Sequence, residues 1–403
     1  MLLRRFLGRE CVLYPCQWHY EQRREKEPEE RVDPDQRRVE CAEPEPRDDD
    51  PEWSTERMFH GAYLSRMTVK RKAVAAGRVR SAVEAIPPGR YLLAVSGGRD
   101  SMVLMDAFAR ARSDIAAVAT FDHGTGSAAT RAARHVEFEA SRRGLPVVSG
   151  VHIADGKPKR GRAPSEESLR NERWRFLRDW ADEFGAAVLT AHTEDDQIET
   201  VFMRILRESG ARGLAGMYAP TEVIRPLLGV RRTEVAAYAA AEGVHWIDDP
   251  SNTSRDYLRN RVRAEILPAI EAIHPHFGRL LLHVAREAAE LRAEVASIVD
   301  SLGVVSVGPT GNAAVRGTAN ADRTAMIPAA ELAAAGGDGH MVLWPEIAGR
   351  AGIQLDWRGI ERLARQASTL KPGGRIPLSG GATLERTVAS FVFRNLGPGS
   401  RLY

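Results

Sequence analysis

From residue 90 onward the sequence switches repeatedly between short apolar runs and stretches with helical spacing, and this alternation limits the fold more than any other feature. The runs "RYLLAVSGG", "IAAVATFDHG", "PVVSGVHI", "AAVLTAH" and "EVIRPLL" read as strands that end in glycine or polar residues. Between them, "DSMVLMDAFARAR", "AATRAARHVEFEASRRG", "EESLRNERWRFLRDWADEFG" and "DQIETVFMRILRES" carry helical spacing. In the last of these Ile198, Val201, Phe202 and Ile205 fall at i, i+3, i+4 and i+7, leaving Gln197, Arg204 and Arg207 on other faces. Alternating β and α predicts an α/β fold, a parallel sheet with helices on both faces, whose ligands bind at the carboxyl ends of the strands.

After residue 230 the strands give way to helical patterns, "RRTEVAAYAAAEG", "DYLRNRVRAEILPAIEAI" and "FGRLLLHVAREAAELRAEVASIVDSL". Residues 304–340 are rich in Gly and Ala and show no clear period. Beyond them "GIQLDWRGIERLARQASTL" predicts a helix and "RIPLSGGATLERTVASFVFR" a strand pair. The expected organisation is a nucleotide-binding α/β domain over 58–229, a helical domain over 230–303 and a small mixed region over 304–403. Residues 1–57 mix both charge signs with prolines and few aliphatics; such a segment cannot bury enough surface to offset its ordering entropy. It reads as a disordered extension or a mis-assigned start, with Met58 and Met67 as alternative starts.

At 403 residues with 43% hydrophobic and 28% charged side chains, the chain has the composition of a soluble globular protein of two or three domains. A net charge of +3 does not by itself announce a nucleic-acid binder; local arginine clusters carry that signal instead. No apolar run approaches the roughly 20 residues of a membrane helix, and the first residues lack a secretion signal's apolar stretch, so a cytoplasmic location is expected. The three cysteines, Cys11, Cys16 and Cys41, all precede residue 60. The globular region therefore has no thiol for persulfide chemistry or for an iron–sulfur cluster.

The tripeptide Ser-Gly-Gly occurs twice, and the residues downstream distinguish the two copies. At Ser96–Gly98 it succeeds an apolar strand and opens a helix. Glycines without Cβ let backbone N–H groups approach an anion, the helix N-terminus adds its dipole, and Ser96 and Ser101 add hydroxyls, which together make a phosphate cradle of Ser96, Gly97, Gly98, Arg99, Asp100 and Ser101. Asp100 would repel a phosphate unless Mg²⁺ lies between them, which makes it a candidate metal ligand. The second copy, Ser379–Gly381, lies between two strand-like runs and predicts a hairpin turn. Neither GxxxxGK[ST] nor a GxGxxG after the first strand is present.

"AVSGGRDS" resembles the signature of the PP-loop, or N-type ATP pyrophosphatase, superfamily. Within it, "AHTEDDQIETVFMRILRESGARGLAGM" and "RPLLGVRRTEVAAYAAAEGVHWIDDPSNTSRDYLRNRVRAEILP" resemble the tRNA(Ile)-lysidine synthetase family, in order and at matching spacing from about Tyr91 to Pro268. The resemblance implies an ATP-dependent carbon–nitrogen ligase. ATP adenylates the C2 oxygen of the cytidine at the first anticodon position of tRNA(Ile), and free L-lysine displaces AMP to give lysidine. It implies ATP and Mg²⁺, tRNA(Ile) and free lysine, with no membrane; the oligomeric state stays open, a homodimer included.

His192 and Asp122–His123 end predicted strands, as the Ser96 loop does, so three strand ends converge on one crevice. His192 suits stabilisation of charge on a leaving pyrophosphate, and Asp196 suits a second metal contact with Asp100. Against this, Asp195 and Asp196 suit capping of the helix they open. Gln197 and Glu199 match the family motif and are candidates to orient a nucleotide or cation. Glu167, Arg170 and Arg173 fall on overlapping faces of a helix matching a family segment near the substrate crevice; Arg173 is expected to offset phosphate charge, and a solvated ion-pair face is the competing reading. Arg204, Arg259 and Arg263 are candidate substrate or tRNA contacts, with Arg259 and Arg263 four apart on one helix face. Trp246 reads as core and Tyr257 as a base-stacking or packing residue.

Two departures from the family pattern stand out. "FDHGTGSAATRAAR" replaces a His-Gly-Leu-Arg-like segment, so a cationic contact is missing or moved to Arg131 or Arg134, and Thr193 stands where a second histidine is more usual. Among relatives of the loop, a tRNA thiolase needs sulfur chemistry that the cysteine-free region lacks. An NAD or GMP synthetase-like amidating enzyme lacks the "DPSN…RNRVR" segment, and a tRNA-binding relative without catalysis would not need Ser96, Asp100, Ser101 and His192 together. Replacement Asp100→Ala is expected to abolish AMP formation while tRNA binding persists; unchanged AMP formation would remove Asp100 from the mechanism.

Overall fold

A computed structural model describes residues 74–152, 166–207, 209–248, 254–255, 257–307, 324–334 and 336–395. The expected extension over 1–57 and most of "DDPSNTS" lie outside the described residues. The first sheet is parallel throughout, in the order β3-β2-β1-β4-β5. Its strands are β1 (Tyr91–Ala94), β2 (Ile115–Asp122), β3 (Val147–Val151), β4 (Ala187–Leu189) and β5 (Val223–Ile224). The chain moves outward from β1 to β3 and then returns to β1's other side with β4. Loops leaving β1 and β4 therefore diverge and open a crevice between them.

Both faces of the sheet are buried, with the period of two that a strand imposes. Tyr91, Leu93, Val95 and Val118 enter one core with helix α1 (74–84), α2 (Arg99–Ala111), α3 (Ser127–Arg142) and α7 (Arg232–Glu242). Leu92, Ala117, Ala119 and Val188 enter the opposite core under α4 (Glu166–Phe184), through Leu177, Ala181 and Trp180. Helices on both faces of a parallel sheet match the sequence expectation. The fifth strand is shorter than its apolar run: Pro226, which has no N–H for a ladder, converts "RPLLG" into a 3₁₀ turn.

Helix α5 (Glu194–Leu206) buries Ile198, Val201 and Phe202 as its spacing predicts, against Val262, Leu267, Leu281, Leu282 and Ala285. Ile205, the fourth member of that stripe, is exposed. A short helix α6 (Ala211–Leu214) comes next. The run "DYLRNRVRAEILPAIEAI" forms α8 (Leu258–Arg261), a π turn over Val262–Ile266 and α9 (Leu267–Ile273). Leu267 N–H reaches back to Val262 O across five residues. Pro268, whose ring would strike a carbonyl in a regular α turn, accounts for the widening. Helix α10 (Phe277–Ser301) contributes Leu281 and Ala285 to the α5 core and Val295 and Val299 to the C-terminal one.

The C-terminal region is an antiparallel sheet in the order β6-β7-β10-β9-β8, formed by Val305–Val307, Thr324–Pro328, Ser390–Asn395, Ala382–Arg386 and Arg375–Pro377. It packs with α11 (Ala329–Ala334), α12 (Gly336–Arg350) and α13 (Trp357–Gln366). The last run holds three strands rather than two, and the second Ser-Gly-Gly is the β8–β9 connection, with Gly380 at φ 73° and Gly381 at φ 80°. The predicted helix starts only at Trp357, where the Asp356 carboxylate caps it by accepting the Gly359 N–H. Fully buried Trp344 meets Phe391 and Phe393 edge-on at 5.9 and 5.6 Å.

One buried charge ties the helices of the first core together. Asp106 of α2, 1% exposed, accepts from Tyr238 Oη of α7 at 3.1 Å, Arg143 Nη2 after α3 at 2.9 Å and Arg110 Nε at 2.7 Å. Removing one member of such a buried pair costs about 3 kcal/mol or more, because its partners lose their counter-charge. Asp106→Asn is therefore expected to lower the unfolding free energy by that amount in denaturant titrations, and an unchanged midpoint would show that the pairs carry no net stability.

Candidate active site

The phosphate loop begins where β1 stops. Val95 N–H still bonds Ala119 O of β2 at 2.9 Å, and then the chain turns through Ser96–Gly98 into α2. Ser101 Oγ accepts the Ser96 N–H at 3.2 Å and donates to Gly98 O at 2.8 Å, folding the loop on itself. Gly97 has φ +83°, and a Cβ there would lie 2.8 Å from Ala132 O of α3, so both backbone and space demand glycine. Gly98 caps α2 without a side-chain acceptor, which leaves the first-turn N–H groups to an anion. From beyond α7, Ile247 N–H holds Gly97 O at 3.0 Å.

His192 stands at the end of β4, on the other side of the crevice. Thr190 Oγ1 lies 2.8 Å from its Nδ1. Burial, reinforced by the positive charges of Arg225, Arg259 and Arg173 and only partly opposed by Asp196, pushes the imidazole down to about 4, so it is neutral near pH 7. Thr193, where the family more often has histidine, is fully buried and N-caps α5: Asp196 Oδ2 takes the Thr193 N–H and hydroxyl at 2.8 Å each. Asp196 is thus a cap of its own helix. Asp195 caps a different one, accepting the Arg232 N–H at the start of α7 at 2.7 Å.

Arg232 links the carboxylates of this site. Its Nη2 is 2.9 Å from Asp196 Oδ1, its Nη1 is 3.1 Å from Glu199 Oε1, and its Nε is 3.8 Å from Asp100 Oδ2. Burial raises the Asp100 carboxyl above its ordinary value against the pull of Arg99 and Arg232. For Asp196 burial also pushes upward, but Arg232, the Thr193 bonds and Arg259 outweigh it and hold the group low. Asp100, beside an open helix N-terminus, is a donor of the kind Mg²⁺ shares with substrate phosphates, whereas Asp196, whose charge it feels, has Oδ2 engaged by Thr193 and Oδ1 by Arg232. Among the described residues, no group of three or more His, Cys, Asp or Glu side chains could hold a metal ion.

Part of the crevice is cationic. Arg173 Nε and Arg225 Nε are buried without a hydrogen-bond partner, and burial, then repulsion from Arg170, lowers both guanidinium pKa values. His123, packed edge-on against Phe121 at 5.2 Å, is held down by burial and then by Arg173. Under-compensated buried cations of this kind favour an anionic ligand. Asp122 is spent on its own loop, accepting from Gly124 N at 2.9 Å and Thr130 Oγ1 at 2.7 Å. Arg131 is exposed on α3, and Arg134 lies on the same helix.

The residues singled out in the sequence thus fall in several places. Ser96–Ser101, Asp100, His192 and Asp196 border the crevice at the ends of β1 and β4, and Arg170 and Arg173 reach the electrostatic field of His192 and Arg225 from α4. The side chain of Glu167 lies outside the described residues. Arg204 instead donates to Gly213 O and ties α5 to α6. Gln197, fully buried, donates to Ala215 O at 3.0 Å and accepts Met217 N–H at 2.7 Å, a structural role in place of the expected ligand contact. Arg259 and Arg263 pair with Glu199 and Asp196. Trp246 packs against the first core and Tyr257 is exposed.

Arg225 and Arg232 were missed. Arg225 carries a strand-end signal just before Pro226. Arg231–Arg232 is an unfavourable cation pair at a helix start unless carboxylates await it.

The low His192 pKa has a stability consequence. Below pH 6.5 the unfolded chain takes up a proton that the folded protein refuses until about pH 4, so this contribution is complete above 6.5 and is lost as pH falls toward 4. His192→Gln, which cannot titrate, is expected to lose less unfolding free energy than the parent between pH 7 and about 4.5. Equal losses in chemical denaturation would show that the imidazole is not held neutral.

Residues 72–270 match the PP-loop domain family. The chain is 36% identical over 251 residues to a tRNA(Ile)-lysidine synthase of Salinispora tropica, spanning 57% of this chain and 74% of that one. It is 36% identical over 257 residues to a tRNA(Ile)-lysidine synthase of Salinispora arenicola, spanning 60% and 75%. Among solved structures, a U34-tRNA thiolase of Methanococcus maripaludis aligns with a TM-score of 0.44 at 15% identity, over 54% of this chain and 78% of that one. With its strand-end loop and crevice built on a matching PP-loop domain, the chain belongs to the tRNA(Ile)-lysidine synthase family.

Proposed function

We propose that this protein is an ATP-dependent ligase that converts the cytidine at the first anticodon position of tRNA(Ile) to lysidine. The reading is carried by one observation: in a chain of this family, the Ser96–Ser101 loop and His192 end the two strands that flank the switch point of the sheet. In the first step the cytidine C2 oxygen attacks the α-phosphorus of ATP and pyrophosphate leaves. In the second, the ε-amine of free L-lysine bonds to C2, the C2–O bond breaks, and AMP departs with the oxygen.

The backbone N–H groups and hydroxyls of Ser96, Gly97, Gly98, Arg99 and Ser101 hold the triphosphate, and Asp100 with Asp196 would hold Mg²⁺. When bound, that ion neutralises phosphate charge. The Thr190 Oγ1–His192 Nδ1 pairing is compatible with the tautomer in which Nδ1 accepts, and in that tautomer neutral His192 keeps an Nε2–H donor for the leaving pyrophosphate. Arg173, joined by Arg225, offsets the charge that builds during adenylation. Arg170, whose charge is felt by Arg173 and Arg225, contributes to substrate binding, and the family resemblance assigns Glu167 to the same role. Arg259 and Arg263, whose side chains are 38% and 35% exposed even while paired, are the candidate contacts for tRNA phosphates. The setting is the cytoplasm; among the described residues no helix is long and apolar enough to cross a membrane.

The test incubates protein starting near Met58 with Mg-ATP, labelled lysine and unmodified tRNA(Ile), then digests the tRNA and analyses its nucleosides by mass spectrometry. Label in a lysine-bearing cytidine is expected. AMP release without lysine transfer would keep the adenylating site and reject lysine as the nucleophile, and neither product would leave a tRNA-binding protein without this catalysis.

A further inference from the structure

Glu199 lies one turn after Asp196 on α5, and its side chain is 2% exposed. A carboxylate that deep must be matched by charge or donors, and its matches here are arginines. Oε1 accepts from Arg232 Nη1 at 3.1 Å, Arg232 Nη2 at 3.2 Å and Arg263 Nε at 2.7 Å. Oε2 accepts from Arg259 Nε and Arg263 Nη2, both at 3.0 Å. These arginines come from separate segments: Arg232 from the first turn of α7, Arg259 from α8 and Arg263 from the π turn. The same three guanidiniums meet Asp196 Oδ1 at 2.9, 3.7 and 3.4 Å.

Arg232, Arg259 and Arg263 oppose Asp100, Asp196 and Glu199, and Asp100 also has Arg99 at 3.1 Å. Asp100 is the member held most loosely by Arg232, at 3.8 Å, because the guanidinium's terminal nitrogens are taken by Glu199 and Asp196. We propose that Glu199 is a positioning residue for nucleotide binding, anchoring Arg232 so that its guanidinium spans Asp196 and Asp100 without closing on Asp100. The inference rests on the adenylating reading and identifies a residue that acts through another rather than on the nucleotide.

Without the Glu199 charge, three guanidiniums would crowd two aspartates. Arg232 would be released toward Asp100, and a closed Arg232–Asp100 pair would withdraw that carboxylate from the mouth of the phosphate loop. The loss should therefore run through Arg232 and vanish when Arg232 is absent, whereas a carboxylate that merely supports the fold would matter equally in both backgrounds.

The experiment measures equilibrium ATP affinity in the presence of Mg²⁺ for the parent, Glu199→Gln, Arg232→Met and the double variant, with denaturant unfolding of each. Glu199→Gln is expected to weaken ATP about tenfold in the parent and less than about twofold in the Arg232→Met background. Equal losses in both backgrounds, or no loss in the parent, would overturn the proposal. If Glu199→Gln alone does not fold, the same cycle is run with Arg263→Met throughout, which removes one guanidinium together with the Glu199 charge, and the same two results decide. Parent protein that binds ATP but forms no lysidine would reject the proposed reaction and leave this test standing, while parent protein that binds no ATP would remove both.

Discussion

Strands β1 and β4 lie side by side, yet the chain leaves them in opposite directions, and the chemistry of the molecule depends on that reversal. A parallel sheet whose faces are both covered by helices has no open surface except at its strand ends. At most ends the next connection closes over the edge. Between β1 and β4 it cannot, since one connection runs to α2 and the other to α5. The phosphate loop and His192 therefore face a common gap. Ile247 N–H on Gly97 O shows that even the segment after α7 is folded back to support this position.

The gap is polarised. Arg173 and Arg225 sit in one part of it, buried with unpartnered Nε atoms, beside His123, whose pKa burial and Arg173 lower. On the α5 side, carboxylates and arginines neutralise one another through Arg232 and Glu199. Unpartnered buried cations favour an anion in the first region, and Asp100, whose charged form burial disfavours, belongs to the second. A cation accompanying the anion relieves that cost. Burial of Asp100 on the one hand and of Arg173 and Arg225 on the other leaves charges of both signs under-compensated in this crevice.

Local patterns were legible wherever the period of hydrophobicity had a single solution. The strands at Tyr91, Ile115, Val147 and Ala187 and the helices at Arg99, Ser127, Glu166 and Glu194 reflect alternation and 3.6-residue spacing. The run at Val223 was overread because its apolar residues continue past the proline that ends pairing. Residues 304–340 were illegible because Ala and Gly mark neither period; part of that stretch forms β6, β7 and α11. Helix α7 reads as the first of a helical series, but its Val235, Tyr238 and Ala239 join the core that holds β1, a choice that only tertiary packing makes.

The same division runs through the site. Ser-Gly-Gly between a buried strand and a helix announced a tight turn with an open helix start by itself, because a positive φ and free N–H groups are local properties of the backbone. Asp122, Gln197, Arg204, Arg259 and Arg263 carry residue types that suit ligands, and the sequence could not say whom each would meet. Tertiary structure decided that Gln197 and Arg204 serve backbone carbonyls, that Arg259 and Arg263 close on Glu199, and that Arg225 and Arg232 join the crevice. The reason is range: glycine conformations and helix periods act within a few residues, whereas the pairing of a buried charge is settled by whatever distant segment brings its partner, here Arg232 to Asp196 and Arg263 to Glu199.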